Sequence, residues 1–221
     1  MPEMIIDLHV HTRRHSGCSN IEPPDLIGRA AEIGLDGLAL TEHGILWTEE
    51  NLAPLREKAA GRGLTILAGE EVTCFFNGRK QDFLVFGLKR SLGSATSPRE
   101  LVHRVHGDGG IVIAAHPFKP SRLGVGYHGI GEDLYDLDLD AIELHHPDHN
   151  DEAREKVREA ARMLGIPMTG GSDAHELDRL GVSSTRFFNR IATVEDFTVE
   201  LRAGRVEPLR GFPLHTRKDP T

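Results

Sequence analysis

Five short segments of this sequence place histidines and carboxylates where an apolar run ends. They are Asp7-Leu8-His9-Val10-His11, Thr41-Glu42-His43, Gly69-Glu70-Glu71, Ala115-His116-Pro117 and Gly171-Ser172-Asp173-Ala174-His175. In a barrel of alternating strands and helices, the strand ends converge on one face. Imidazoles and carboxylates from distant parts of the chain would meet there. Such a cluster is typical of a site for several metal ions.

His9 and His11 form the strongest pair of predicted ligands. They are two residues apart in a strand-like run, so both side chains point to the same side and one metal can receive two imidazoles. Asp7 lies one step earlier on that face in this prediction. It either orients an imidazole through a hydrogen bond or has a purely structural role.

Glu71, Asp173 and His175 are predicted to extend the site. The two oxygens of a carboxylate can bridge two metals, and Glu71 is favoured over Glu70 because it lies where the third strand exits. Asp173 and His175 follow two glycines that let the backbone turn sharply, so they can reach different metals. The alternative for this segment is an Asp-containing turn with a histidine on the surface.

His43 and His116 are the next predicted ligands. His116 precedes a proline, which predicts an extended backbone and a fixed side chain. Two further positions stay open. His15 is either a ligand or a solvated loop residue, and Asp82 either binds metal or caps its strand and faces water.

Other polar residues near these segments have alternatives. One member of the cluster His145, His146 and His149 could face the site, although its neighbours suit a plain loop. Lys119 and Arg13 lie in loops just after predicted ligands. Such positions suit contact with a substrate phosphate, and the alternative for each is a solvated charge.

The elements that would position these residues alternate between strand-like and helix-like patterns. The predicted strands are Met4–Val10, Leu35–Thr41, Leu64–Ala68, Glu71–Phe76, Lys80–Leu88, Ile111–Ala115, Ala141–Leu144 and Ile166–Thr169. Helices are predicted at Pro24–Ile33, Thr48–Arg62, from Ser97 to the glycines at 109–110, at Asp151–Leu164, and from Thr193 to Gly204. Residues 118–138 are predicted to form a long loop with one short helix. The alternation indicates an α/β fold with a parallel sheet, most simply a closed barrel.

The overall length and composition fit one soluble α/β domain spanning residues 1–221. The net charge of −8 disfavours a broad surface for long nucleic acid. No apolar run approaches the roughly 20 residues that cross a bilayer, so no membrane partner is expected. Cys18 and Cys74 are isolated, and the first residues show no signal-peptide pattern. These features favour a cytoplasmic location. The oligomeric state is left open.

The five segments together resemble the PHP (polymerase and histidinol phosphatase) family of metal-dependent phosphoesterases. The resemblance implies a distorted seven-stranded (βα) barrel, similar to a TIM barrel, with two or three metals at the strand C-termini. It also implies the ligand sets. The first metal would bind His9, His11, Glu71 and Asp173, the second Glu71 and His116, and the third His43 and His175. Asp82 stands where many relatives carry histidine.

The expected activity is hydrolysis of a phosphate ester by a hydroxide that bridges two metals, with His43 or His175 assisting the leaving oxygen. Ligands built from nitrogen and oxygen suit Mn²⁺, Zn²⁺ or Fe, and the sequence does not choose among them. The expected partner is a small phosphorylated substrate, either a monoester or a small nucleotide. Two alternatives remain: a nuclease-like phosphodiesterase acting on short nucleic acid, and a non-catalytic module that binds metal and a partner.

Overall fold

A mixed sheet of nine strands, curved into a nearly closed barrel, forms the body of the protein. The computed structural model describes residues 3–94, 97–121 and 126–211. In these residues the strands are β1 (Met4–Val10), β2 (Gly37–His43), β3 (Thr65–Phe76), β4 (Arg79–Phe86), β5 (Ile111–Ala114), β6 (Ala141–His145), β7 (Met168–Gly170), β8 (Ser183–Phe187) and β9 (Val206–Arg210). The α-helices are α1 (Pro23–Ile33), α2 (Glu49–Ala60), α3 (Pro98–Gly107), α4 (Asp151–Leu164) and α5 (Val194–Arg202).

The strand order across the sheet is β7-β6-β5-β4-β3-β2-β1-β8-β9. Seven strands run in the same direction, namely β1, β2, β3, β5, β6, β7 and β9, while β4 and β8 run against their neighbours. The edge strand β7 approaches both β8 and the opposite edge strand, β9. The hydroxyl of Thr185 in β8 donates to the carbonyl of Gly170 in β7 and accepts from its amide, both at 2.9 Å. The carboxyl ends of the parallel strands therefore surround one end of the barrel.

The predicted strand count was wrong. The expected barrel has seven strands, whereas the sheet has nine. The segments predicted as Leu64–Ala68 and Glu71–Phe76 are one continuous strand, β3. Strands β8 and β9 were not predicted. Residues 183–187 read Ser-Ser-Thr-Arg-Phe, and this segment becomes a strand by pairing with β1, which lies far away in the sequence.

The five predicted helices are present, and local signals define their ends. Ser97 accepts a hydrogen bond from the amide of Glu100 at the start of α3, and α5 begins with a reciprocal capping box between Thr193 and Asp196. The loop after β5 contains the expected short helix, a 3₁₀ turn at Gly131–Asp136. Part of that loop, residues 122–125, lies outside the described residues. No helix in the described ranges is long and apolar enough to cross a membrane.

Apolar side chains fill the barrel at the end opposite the carboxyl ends of the strands. The interior cluster includes Ile6, Leu8 and Leu84, together with Phe197 and Leu201 of α5. Helix α5 thus covers the end of the barrel at which β1 begins. The helices on the outside of the sheet pack over two further clusters. The remaining end of the barrel is where the polar residues at the strand ends lie.

A bulge in β1 lets the apolar core and the histidines share the inside of the barrel. Asp7 pairs with Leu38 and Val10 with Leu40, so β1 holds one residue more than β2 over this stretch. Strict alternation would place Leu8 and His9 on opposite faces. The extra residue shifts the alternation, so that His9 and His11 point inward above Leu8.

Candidate metal centre

The structure brings eight of the nine predicted metal ligands to one place at the carboxyl end of the barrel. Their nitrogen and oxygen atoms form four overlapping groups in which the atoms lie within 4.8 Å of one another. The groups are His11, His43 and His175; His9, His11 and Glu71; His9, His146 and Asp173; and Glu71, Asp82 and His116. The shared members make this one continuous centre.

Glu71 lies in the middle of the centre, as its favoured bridging role requires. Its Oε2 atom is 2.6 Å from Nδ1 of His43 and 3.4 Å from Nε2 of His11. Its Oε1 atom is 3.3 Å from Nε2 of His116 and 3.6 Å from Nε2 of His9. Register explains the first contact, because Glu71 of β3 pairs with His43 of β2.

Glu70, the alternative to Glu71, lies on the opposite face of β3. It accepts hydrogen bonds from the amides of Leu92 and Gly93 at 3.0 and 2.7 Å. Glu70 therefore anchors the loop after β4 and belongs to none of the four groups.

Asp173 is the second carboxylate of the centre. Its Oδ1 atom is 3.2 Å from Nε2 of His11 and 3.4 Å from Nε2 of His9, while Oδ2 is 3.1 Å from Nε2 of His146. The backbone of Asp173 is left-handed, with φ at +48°. A non-glycine residue adopts this conformation at a cost, and such outliers are concentrated at functional sites.

The predicted extended backbone of His116 was wrong. Its φ is +30° despite the proline that follows. The amide of His116 donates to Oε2 of Glu143 at 2.8 Å, and this buried contact fixes the turn. The ring still reaches the centre, through Nε2.

Glu143 contacts two residues of the candidate centre and was not predicted from the sequence. It is fully buried in β6, and its Oε1 atom accepts from Nδ1 of His9 at 3.2 Å while Oε2 accepts from the amide of His116. One carboxylate thus orients two predicted ligands. The available signal was a carboxylate inside the apolar run of a buried strand, because such a group requires partners.

His146 is the second residue that the sequence prediction underrated. It follows β6 directly, as the other ligands follow their strands, and only 4% of it is exposed. Its contact with Asp173 places it in the group with His9. His145 and His149 lie outside the four groups. The position at a strand end was a better guide than the loop-like neighbours Pro147 and Asn150.

The carboxylates and imidazoles shift one another's protonation. Burial would raise the pKa of Glu71, but the charge of His9 and hydrogen bonds from His116 and His43 hold it well below its usual range. Glu143 behaves in the same way: burial opposes ionisation, yet His9 and the neighbouring imidazoles lower its pKa to about 2. Burial would lower the pKa of His9, and the charges of Asp173, Glu143 and Glu71 raise it well above its usual range. The centre therefore attracts positive charge strongly.

The donor atoms fit a metal. Since an ionised Glu143 can only accept, Nδ1 of His9 carries the proton and Nε2 is the atom directed into the centre. Nε2 of His9 and Nε2 of His11 are buried and make no hydrogen bond of ordinary geometry. A tetrahedral ion with bonds of about 2.1 Å holds its ligand atoms about 3.4 Å apart. The contacts of His9 and His11 with Glu71 and Asp173 span 3.2–3.6 Å.

Asp82 is buried beside Glu71 and His116, so it does not face water. Its Oδ1 atom accepts from the hydroxyl of Thr73 at 2.6 Å, and Oδ2 is 3.3 Å from Nζ of Lys80. The open alternative of a solvated strand cap was therefore wrong. Asp82 offers an oxygen atom to the group that contains Glu71 and His116, while the ammonium of Lys80 offsets part of its charge.

The other predicted residues lie at different distances from the centre. Lys119 lies at its edge, with Nζ 2.6 Å from Asp148 and 3.9 Å from Asp173. The side chain of Arg13 is 69% exposed and lies 3.5 Å from Glu22. His15 packs edge-on against Trp47, with ring centroids 4.8 Å apart, and belongs to none of the four groups.

Asp7 does not orient an imidazole. Its carboxylate accepts from the amides of Ser172 and Gly181 at 3.0 and 2.9 Å and from the amide of His9 at 3.3 Å. Burial raises its pKa to about 6 despite these bonds. Asp7 thus fixes the loop that carries Asp173, which is the structural role left open by the sequence.

Comparisons with known proteins identify the family of this chain. The model of the PHP domain family matches residues 7–122, just over half of the chain, and a PHP-associated model matches residues 151–206. An uncharacterized protein of Methanocaldococcus jannaschii, MJ1587, is 25% identical over 158 residues, which is 67% of this chain and 85% of that protein.

Two solved structures share the fold. One is a two-domain protein of Bacteroides vulgatus with a predicted PHP-like metal-dependent phosphoesterase (TM-score 0.75, 16% identity, 95% of this chain and 65% of that one). The other is a lesion-specific endonuclease of Pyrococcus furiosus (TM-score 0.65, 18% identity, 94% of this chain and 58% of that one). The chain spans less than two thirds of each of these proteins. Its match to the family model shows that it belongs to the PHP domain family of metal-dependent phosphoesterases.

Proposed function

We propose that this protein hydrolyses a phosphate ester of a small molecule, using two or three divalent metal ions. The observation that carries the proposal is a pair of buried ring nitrogens without hydrogen-bond partners, Nε2 of His9 and Nε2 of His11, which both face the carboxylates of Glu71 and Asp173. Buried polar groups without partners lower the stability of the folded protein. An interaction module has no need to keep them, so a catalytic metal centre explains them better than a non-catalytic role.

The ligands divide into three sets in this proposal. His9, His11, Glu71 and Asp173 hold one ion, Glu71, Asp82 and His116 hold a second, and His11, His43 and His175 surround a third position. When bound, such ions supply Lewis acidity and lower the pKa of a coordinated water from 15.7 to about 7. All ligand atoms are nitrogen or oxygen, which suits Mn²⁺, Zn²⁺ or Fe.

The reaction forms a bond from a water oxygen to phosphorus as the bond from phosphorus to the ester oxygen breaks. One proton of the water ends on the leaving alcohol, so the products are an alcohol and inorganic phosphate. His43 and His175, which are about one third exposed, can hold a proton near the departing oxygen. Lys119, at the edge of the centre, supplies positive charge for the phosphate oxygens.

The test combines metal content with turnover. Protein purified without chelator should contain at least two transition-metal equivalents per chain by elemental analysis. After loading with Mn²⁺, it should release phosphate from phosphomonoesters. A metal content near zero in an active enzyme would contradict the proposed centre.

A phosphodiester substrate is the competing possibility, because the Pyrococcus furiosus endonuclease shares the fold. The net charge of −8 disfavours long polyanions but not small nucleotides. A panel of monoesters, small diesters and short oligonucleotides under the same conditions separates the two. Turnover confined to oligonucleotides would replace the small-molecule assignment.

A further inference from the structure

The hairpin of β3 and β4 extends beyond the metal centre and carries an exposed aromatic ring. In its register, Glu71 pairs with Leu84, Thr73 with Asp82, and Phe75 with Lys80. Alternate residues of a strand share a face. Phe75 is therefore on the same face as Glu71, next to Lys80 across the hairpin.

Contacts within the hairpin agree with this assignment of faces. The hydroxyl of Thr73 donates to Asp82, and Nζ of Lys80 lies 3.3 Å from the same carboxylate, so all three point toward the centre. The intervening residues face away. Cys74 packs in the outer core, and Phe76 lines a cleft with Ser97 and Pro98 beside α3.

Phe75 is more exposed than any other large hydrophobic side chain of the described residues, at 66%. It lies two positions beyond Thr73, a step of about 6.8 Å along an antiparallel strand. Thr73 pairs with the predicted metal ligand Asp82, and Phe75 pairs with Lys80, so the exposed ring and the ammonium group together combine an apolar surface with positive charge just beyond that ligand. An ester with a phosphate at one end and a planar ring at the other complements both.

We propose that Phe75 and Lys80 form the leaving-group subsite, and that the substrate is a phosphomonoester whose alcohol carries a planar aromatic ring, such as a nucleoside. Phe75 stacks on the ring, and Lys80 contributes charge to the phosphate beside Asp82. This inference rests on the proposed phosphoesterase function. Phe75 is the last residue of β3 on this face before the Asn77-Gly78 turn, so this face of the hairpin offers one aromatic ring and not a row of rings, which favours a single base over a run of bases.

The experiment compares adenosine 5′-monophosphate with ribose 5-phosphate, which has the same phosphate and sugar but no base. Phe75→Ala should lower kcat/KM for the nucleotide about tenfold, mainly through KM, because stacking on an aromatic side chain has this magnitude. The same variant should leave kcat/KM for ribose 5-phosphate unchanged. Phe75→Trp should restore kcat/KM for the nucleotide to the wild-type value. Phe76→Ala is the matched control, since Phe76 is the adjacent ring on the other face, and it should change neither substrate.

Direct binding provides a second readout. Calorimetric titration of the protein as purified with adenosine, the product alcohol that cannot be hydrolysed, should give a dissociation constant about tenfold weaker for Phe75→Ala than for Phe76→Ala. Lys80→Gln should lower kcat/KM for both substrates, because Lys80 acts on the phosphate group that both contain. The thermal midpoint of each variant, compared with wild type, checks that the fold is retained.

The outcomes distinguish this inference from the function on which it rests. If the metal-loaded wild type hydrolyses no phosphomonoester, the proposed function fails. If it hydrolyses both substrates and Phe75→Ala affects them equally or not at all, the subsite assignment fails while the function stands. A strong preference for short oligonucleotides that is lost in Phe75→Ala would overturn the single-base assignment.

Discussion

The two halves of the candidate metal centre offer different ligand atoms and are held in place differently. The β1–β7 half, made of His9, His11 and Asp173, is rich in imidazole. The β3–β5 half, made of Asp82 and His116, has one carboxylate and one imidazole. Glu71 belongs to both. In the first half the β1 bulge and the carboxylate of Glu143 fix the rings, whereas in the second Asp82 is shared with Thr73 and Lys80.

This difference implies unequal affinity for metal. In the β1–β7 half, donor atoms lie without hydrogen bonds at the spacing that one ion requires. In the β3–β5 half, the ammonium of Lys80 already offsets part of the charge of Asp82. A cation binding there gains less electrostatic energy. We therefore expect the β3–β5 half to release its ion first during titration with a chelator.

Glu71→Ala should have the largest effect, because Glu71 is the ligand common to both halves. Loss of the shared carboxylate should reduce metal content by at least two equivalents and bring turnover below detection. Elemental analysis and phosphate release measure the two quantities. Glu70→Gln is the matched control, since Glu70 anchors the loop at Leu92 and Gly93 from the other face. Equal loss of metal in both variants would show that the bridge is not at Glu71.

Asp82→Ala should affect one half only. The variant should lose one metal equivalent and keep the ion of the β1–β7 half, with turnover much reduced. Asp82→His should keep both ions and shift the preference toward Zn²⁺, because imidazole replaces a hard anionic oxygen. Competition between Mn²⁺ and Zn²⁺, followed by elemental analysis, measures the shift. Wild-type stoichiometry in Asp82→Ala would mean that Asp82 only holds Thr73 and Lys80.

Glu143→Gln should have a smaller effect than Asp82→Ala, because it should change only the affinity for metal. The carboxylate accepts from both Nδ1 of His9 and the amide of His116, whereas an amide has a single acceptor oxygen. Loss of such a supporting contact typically weakens metal binding 10- to 100-fold. A chelator competition assay should show this weakening in the β1–β7 half while full occupancy returns at high metal concentration. Unchanged affinity would indicate that the bulge alone positions His9.

The difference between the halves also shows what the sequence can predict. Residue type and position at a strand end are local signals, and they identified eight members of the four groups, including Glu71 in preference to Glu70. Helix caps such as Ser97 and Thr193 are equally local. These signals require no knowledge of which strands are neighbours.

Features that depend on neighbouring strands were not predictable in this way. Strand β8 lacks an apolar run and forms because β1 pairs with it. The β1 bulge is defined only by its register with β2, so Asp7 was assigned to the wrong face. Glu143 and His146 act through contacts with residues far away in the sequence. A charged residue inside a buried strand was the one local hint, because it requires a partner that the strand itself does not provide.

His15→Ala should have the smallest effect, because His15 belongs to neither half. It lies only four residues after His11, yet its ring packs edge-on against Trp47, which donates to Glu42. Removing an aromatic pair of this kind costs about 0.5–1.5 kcal/mol of unfolding free energy, and metal content and turnover should stay at wild-type values. Denaturant unfolding and elemental analysis of the same preparation check both points. Loss of a metal equivalent in His15→Ala would make His15 a ligand of the third position beside His43 and His175, and would extend the imidazole-rich half of the centre into the loop after β1.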